Sequence, residues 1–97
     1  MEKTVLVGVI TNDQGYEKSM DYLEELEFLT VTAGGFVNKI FTQKLKNPNP
    51  KTFIGEGKIN QIRDYIKDHD VKTVIFDDEL TATQERNISK IFNCKIL

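Results

Sequence analysis

Short apolar runs alternate with helical patterns along the whole chain, and this alternation constrains the fold more than any other feature. Residues 4–10 form an unbroken apolar, β-branched run, which is typical of a buried parallel strand. Further strands are predicted at 36–45, 71–76 and 95–97, and helices at 16–33, at 57–69 and from 81 onward. The order β-α-β-α-β-α-β predicts an α/β domain with a parallel four-stranded sheet between helical layers. Right-handed crossovers, with the most apolar strands placed centrally, favour the strand order 2-1-3-4.

The helical patterns carry specific start, stop and packing signals. The first helix repeats apolar residues in three-residue steps, which predicts a buried stripe of Met20, Leu23, Leu26 and Leu29. Gly34 and Gly35 then end it, since glycine tolerates the left-handed geometry of a helix C-terminus. Thr81 and Gln84 have the spacing of a capping box, so the third helix is predicted to begin there.

Size and composition indicate one small domain that spans residues 1–97. No apolar run approaches the ~20 residues that cross a bilayer, and no signal peptide precedes the first strand. The single cysteine, Cys94, excludes an internal disulfide and a cysteine-based metal cage. We therefore expect a cytoplasmic protein. The chain stops inside its last predicted strand, which favours a piece of a longer protein.

Charge is distributed unevenly, although the net charge is only −2. Residues 12–37 contain six acids and one base, whereas residues 38–72 contain eight bases and four acids. Such asymmetry is found in proteins that contact RNA, although two solvated faces are the simpler interpretation.

A loop with two prolines, Pro48 and Pro50, interrupts regular structure after the second strand. We predict that this loop is exposed and that the lysines around it, Lys44, Lys46 and Lys51, face solvent. Phe53 follows directly and is predicted to be an exposed aromatic that could stack on a base.

A glycine turn, Gly55-Glu56-Gly57-Lys58, opens the second helix. Backbone amides of such a turn can bind phosphate, with Lys58 supplying charge, so Gly55, Gly57 and Lys58 are candidates for nucleotide or RNA-backbone contact. The turn does not complete a P-loop or a dinucleotide fingerprint. A tight turn that simply starts the helix is the alternative.

Three acids, Asp77-Asp78-Glu79, follow the third strand. Clustered carboxylates can hold Mg²⁺, and Asp77 is a further nucleotide-site candidate, but acids before a helix also simply favour its positive end. Arg86 is expected to pair with Asp77 or Asp78. His69 lacks partners for catalysis, so we assign no catalytic residue and no metal ligand to this chain.

Several of these segments together resemble the N-terminal domain of HflX-type GTPases. The resemblance covers about residues 23–97, and its blocks are residues 32–35, 48–58 and 74–81 with Gln84, Arg86 and Asn87. It implies the N-terminal α/β domain of a ribosome-associated GTPase that binds the large ribosomal subunit. The GTP and Mg²⁺ site would lie in a later domain, so no GTP-binding residue is expected here.

The resemblance and the residues leave three functional hypotheses. The first is a regulatory domain that docks on ribosomal RNA, with Lys44, Lys46, Lys51, Phe53 and Lys58 as contacts. In place of the arginines that are common in the family's loop, this chain has lysines, which contact phosphate as point charges. The second is a small nucleotide-binding module or enzyme that uses the glycine turn and Asp77. The third is a domain that docks only on its own GTPase domain.

Overall fold

Four parallel strands alternate with three helices in the computed structural model, which describes residues 2–11 and 15–97. The elements are β1 (Lys3–Ile10), α1 (Tyr16–Thr32), β2 (Phe36–Lys44), α2 (Glu56–His69), β3 (Thr73–Phe76), α3 (Ala82–Phe92) and β4 (Lys95–Ile96). The strand order is β2-β1-β3-β4, which confirms the predicted fold and topology. The loop predicted at 11–15 falls mainly on residues 12–14, outside the described residues.

The two faces of the sheet are covered unequally. Alternate residues of β1, including Val5 and Val7, join the apolar side chains of α2 and α3 in the main core. On the opposite face α1 packs across β1 and β2, and its Leu23 lies against Gly8. Side chains of a strand alternate between faces, so one strand supplies both layers. β1 is buried from Thr4 to Ile10 because it lies centrally in the sheet.

The predicted buried stripe of α1 is partly wrong. Leu23 is fully buried, but Leu29 is 54% exposed, and Met20 and Leu26 are only half-buried. Steps of three residues fall short of the 3.6-residue helical turn, so such a stripe drifts around the helix. Ser19, four positions before Leu23, supplies the other buried position.

The predicted helix ends are confirmed for α1 and α3. Gly34 follows α1 with a φ of 95°, and its amide bonds the carbonyl of Val31. At α3 the Thr81 hydroxyl accepts from the amide of Gln84, and the Gln84 side chain accepts from the amide of Thr81. None of the helices within residues 2–11 and 15–97 combines the length and apolar character that a bilayer crossing requires.

Candidate functional site

The proline loop closes into a short, hydrogen-bonded turn. Asn49 and Phe53 exchange two backbone hydrogen bonds, of 2.9 and 2.8 Å. The Asn49 side-chain oxygen accepts from the amides of Lys51, at 2.8 Å, and Thr52, at 3.3 Å. This is the local pairing by which asparagine fixes turns. Lys51 therefore stands at the tip of a defined turn and is exposed.

Two side-chain amides of α3 hold this turn against the domain. The buried Gln84 donates to the Asn49 carbonyl oxygen at 2.8 Å, and Asn87 donates to the Lys51 carbonyl oxygen at 3.0 Å. Both bonds span about a third of the chain, since they join residues 35 and 36 positions apart. The backbone around Lys51 is thus positioned by α3, a role for Gln84 and Asn87 that sequence reasoning missed.

Phe53 lies in the core, so the prediction of an exposed, base-stacking aromatic is wrong. Its side chain is 3% exposed, and its ring meets Phe76 edge-on with centroids 5.5 Å apart. A backbone φ of 66° turns Phe53 inward at the end of the loop. An apolar residue before a helix cap commonly packs on the first turn of that helix, but this pattern applies to Ile54 and Ile59 and gives no direction for Phe53. Both isoleucines are buried in the same core.

The glycine turn is engaged in structural contacts. The Gly55 amide donates to the Gln43 side-chain oxygen at 2.8 Å, and the Gly55 carbonyl accepts from Ile59 as α2 begins. A Cβ on Gly55 would lie 3.2 Å from the Gln43 side chain, whereas a Cβ on Gly57 would meet nothing within 4 Å. The contacts of Gly55 thus favour the tight-turn interpretation of this motif at that position.

The four candidate lysines lie at or after the carboxyl end of β2, and the carboxyl ends of strands are where ligands meet α/β sheets. Lys44 ends β2, Lys46 and Lys51 belong to the loop, and Lys58 lies in the first turn of α2. We call these four residues the lysine rim. The first three are exposed and Lys58 is half-buried. The ion pairs of the described residues are Arg63–Asp64 and Lys72–Asp70, so neither engages the lysine rim.

Asp77 lies apart from the glycine turn. Its carboxylate is on the α1 face, where a Cβ on Gly8 would approach it to 2.9 Å, while the buried isoleucines of α2 pack in the core of the opposite face. Partial burial raises the pKa of Asp77 to about 6, and the charge of Asp78 adds to this shift. The expected pairing of Arg86 with Asp77 or Asp78 is wrong for this structure, since neither ion pair of the described chain includes Arg86.

Asp77, Asp78 and Glu79 do not converge on one point. The Asp78 carboxylate accepts from the amide of the next residue, Glu79, at 2.8 Å, which is a local contact in the loop before α3. Among residues 2–11 and 15–97, no three acidic, histidine or cysteine side chains gather closely enough to hold a metal ion.

A cavity of about 340 Å³ lies between α2 and α3, beside the turn of residues 49–53, which we call the pinned turn. Lys51, Asn60 and Arg63 supply polar groups to its lining, and Ile59 and Ile91 supply apolar ones. Asn60 and Arg63 were not identified from the sequence, because their pattern resembles that of any solvated helix face. Small-molecule sites usually begin at roughly this size.

Comparison with known proteins identifies relatives over nearly the whole chain. The family whose model matches residues 20–97 is described as "GTP-binding GTPase N-terminal". A protein named GTPase HflX from Flavobacterium psychrophilum is 57% identical over 99% of this chain and 23% of its own length. The proteins of that name from Escherichia coli K12 and Caldanaerobacter subterraneus subsp. tengcongensis are 34% and 36% identical, over 99% of this chain and 22% of their lengths. The chain spans less than a quarter of these relatives.

Proposed function

The chain belongs to the family of GTP-binding GTPase N-terminal domains found in GTPase HflX, and on this premise we propose that it is the ribosome-docking, regulatory domain of a longer GTPase. The partner is the ribosomal RNA of the large subunit, contacted through the lysine rim. GTP and Mg²⁺ bind elsewhere in the longer protein, and these 97 residues contribute no catalytic group. The location is cytoplasmic, where ribosomes are found.

The pinned turn around Lys51 is the observation that carries this proposal. Asn49, Gln84 and Asn87 fix the turn before any partner arrives, so little backbone ordering remains to be done on binding. Lys44, at the end of β2, and Lys46, in the loop that follows, are two further exposed cations. Exposed cations suit a phosphate backbone, which is recognised by charge.

The test is the salt dependence of ribosome binding by the longer protein. Replacing Lys44, Lys46 and Lys51 together by alanine should weaken binding and flatten the plot of log affinity against log salt. Each lost phosphate contact removes about 0.7–0.9 from that slope, so three contacts remove about 2–3.

A matched control removes the same number of lysines from another part of the domain. Lys67, Lys90 and Lys95 are exposed and lie near the opposite edge of the sheet, at the ends of α2 and α3 and the start of β4. Their triple alanine variant should keep the wild-type slope. If both triple variants lose slope equally, the contact is non-specific. If the rim variant keeps its slope and affinity, the lysine rim does not dock on RNA.

Regulation of GTP hydrolysis is the second part of the proposal. The longer protein without residues 1–97 should hydrolyse GTP with an altered rate and respond less to ribosomes. Unchanged hydrolysis, with and without ribosomes, would contradict a regulatory role while leaving the docking role open to the salt test.

A nucleotide-binding module is a second candidate, which the cavity beside Lys51 favours. Asn60 and Arg63 offer hydrogen bonds there, and Lys51 offers charge. Calorimetric titration of the chain with ATP and GTP, each with Mg²⁺, should show saturable heat if this candidate holds, and Arg63→Ala should abolish that heat. Asp77 would then not belong to the site, because its carboxylate lies on the α1 face of the sheet.

A further inference from the structure

Three aromatic rings form a ladder from the core to the surface, beside one edge of the sheet. The Phe41 ring of β2 is buried and meets the Tyr65 ring of α2 edge-on, with centroids 5.4 Å apart. The half-buried Tyr65 stacks in turn on His69, one helical turn later, with centroids 3.9 Å apart and ring planes 18° apart. His69 is exposed, so the ladder ends in an imidazole ring at the surface.

Hydrogen bonds fix the last ring of this ladder. His69 Nδ1 lies 3.0 Å from the carbonyl oxygen of Tyr65, and because a carbonyl only accepts, Nδ1 carries a hydrogen and donates it. The Lys3 ammonium donates to the His69 carbonyl oxygen at 3.1 Å, which ties the end of α2 to β1. Within residues 2–11 and 15–97 no further ring stacks on the imidazole. A positioned ring is therefore presented to solvent.

A cation accompanies the ladder. The exposed Lys39 places its Nζ 5.4 Å from the ring centroid of Phe41 and 5.7 Å from that of Tyr65. At these distances the ammonium is attracted to the ring faces, which holds it beside the stack. Neither ion pair of the described residues includes Lys39. We call Lys39, Tyr65 and His69 the stacking platform.

Two acids flank His69 in the sequence. Asp70 is paired with Lys72, at 2.9 Å. Asp68 precedes His69 on α2, and adjacent residues of a helix do not face each other. The charge that Lys39 places at the rings is therefore not cancelled by these acids.

The stacking platform lies along the open edge of the sheet. β2 pairs with β1 alone, so its second edge is unpaired within the part of the chain that the structure describes. Lys39 and Lys44, a member of the lysine rim, both belong to this strand and are exposed. The five residues from one to the other span about 17 Å of strand, which equals roughly five nucleotides of a stacked RNA strand. One RNA strand that follows β2 would thus reach both lysines.

We propose that the stacking platform binds an unpaired RNA base, which stacks on the imidazole of His69 while Lys39 contacts a neighbouring phosphate. The premise, RNA as the partner, is that of the proposed function. Proteins bind single-stranded RNA through rings that accept the bases and cations that follow the backbone. Bases within a duplex already stack on each other, so this site recognises a loop, a bulge or a strand end. The platform thereby adds a base contact to the charge contacts of the lysine rim.

Histidine NMR tests the stacking directly, because His69 is the only histidine of the chain. The chain, without a histidine tag, is titrated with single-stranded octa-adenylate and, as the matched probe, with a fully paired RNA duplex of the same length. We expect the imidazole proton signals to move upfield with octa-adenylate, through the ring current of the stacked base, and to stay in place with the duplex. Signals that stay in place with both probes, or that move equally with both, would overturn the proposal.

Variants at position 69 separate stacking from charge. His69→Ala should weaken octa-adenylate binding about tenfold in fluorescence anisotropy, with an unchanged salt slope, because stacking releases no counterions. His69→Phe keeps a ring and should keep the wild-type affinity. Phe28→Ala removes an exposed ring from α1, on the other face of the sheet, and should also bind as wild type. Wild-type affinity in His69→Ala, or an equal loss in Phe28→Ala, would contradict the assignment.

Ribosome binding by the longer protein separates this site from the lysine rim. His69→Ala should lower the affinity at a constant salt slope, whereas the triple alanine variant of Lys44, Lys46 and Lys51 lowers the slope. Full affinity in His69→Ala, with a loss of slope in the triple variant, would overturn the stacking platform alone. A loss of affinity in His69→Ala, with an unchanged slope in the triple variant, would support the platform and contradict docking through the lysine rim.

Discussion

The side-chain amide of Gln84 donates a hydrogen bond of 2.8 Å to the backbone carbonyl of Asn49, 35 residues earlier in the chain. The oxygen of the same side chain accepts from the amide of Thr81 at 2.9 Å. One glutamine therefore caps α3 and fastens the turn that carries Lys51. The turn and the helix start, which are separate motifs in the sequence, form one hydrogen-bonded unit in the structure.

Gln84→Glu should break the link to the turn and preserve the cap. Glutamate still accepts from Thr81 but turns a carboxylate oxygen toward the Asn49 carbonyl, so we expect a loss of about 1–3 kcal/mol in the free energy of unfolding. Urea denaturation measures this loss, and amide exchange at Lys51 and Thr52 should quicken. Thr81→Ala is the control, because it weakens the cap by about 1 kcal/mol and leaves the turn's exchange unaltered. Equal exchange in both variants would contradict the linkage.

Local spacing explains what the sequence could predict here. A capping box is defined by residues three positions apart, so Thr81 and Gln84 identified it directly. The bond from Gln84 to Asn49 depends on how α3 packs against the loop, which no local pattern records. The prediction for Phe53 was wrong for the same reason. A lone aromatic residue after a proline loop can face solvent or the core, and the contact with Phe76 that holds it in the core is not recorded in the local sequence.

Phe53→Ala should destabilise the domain, because the ring lies in the core and does not face RNA. The buried ring fills space next to Phe76, and such truncations cost about 3–5 kcal/mol. Thermal unfolding of the chain should show a strong drop in Tm. Lys51→Ala, at the exposed tip of the same turn, should change the free energy of unfolding by less than about 0.5 kcal/mol. A wild-type Tm for Phe53→Ala would show that the ring is not part of the core.

The α1 helix shows a different limit of sequence reasoning. Its apolar repeat predicted a helix, and the helix is present from Tyr16 to Thr32. The repeat does not record which apolar residues meet the sheet, and the sheet contacts only a narrow strip around Leu23. The exposure of Leu29 can therefore be recognised only once the face of α1 that contacts the sheet is known.

Gly8→Ala should destabilise the contact between β1 and α1. A Cβ at Gly8 would lie 2.9 Å from Asp77 Oδ2 and 2.9 Å from Leu23 Cδ1, closer than packed atoms allow. Overpacking of this kind costs about 1–3 kcal/mol in the free energy of unfolding. Gly57→Ala is the opposite case, since nothing lies within 4 Å of its added Cβ and it sits in α2. Urea denaturation should show that this variant gains up to about 1 kcal/mol in the free energy of unfolding. A loss of stability would show that a side chain at position 57 does meet other atoms.

Asp77 gives the domain a specific pH dependence. Partial burial, helped by the nearby charge of Asp78, raises its folded pKa from 3.8 to about 6, although the amide of Val9 opposes the shift. Between pH 3.8 and about 6, Asp77 is therefore protonated more often in the folded state than in the unfolded state. The contribution of Asp77 to stability is largest below pH 3.8 and is lost as pH rises through about 6.

Asp77→Asn should remove this loss, because asparagine stays neutral at every pH. Relative to wild type, the variant should be no more stable below about pH 4 and about 1 kcal/mol more stable at pH 7, a figure already reduced for the solvent that reaches this half-buried group. Urea unfolding of the 97-residue chain at several pH values measures the difference. Asp78→Asn should give a smaller gain of the same sign, since that charge is the lesser cause of the shift. A stability difference for Asp77→Asn that is flat across the range, or that grows toward acid, would show that the folded protein does not raise the pKa of Asp77.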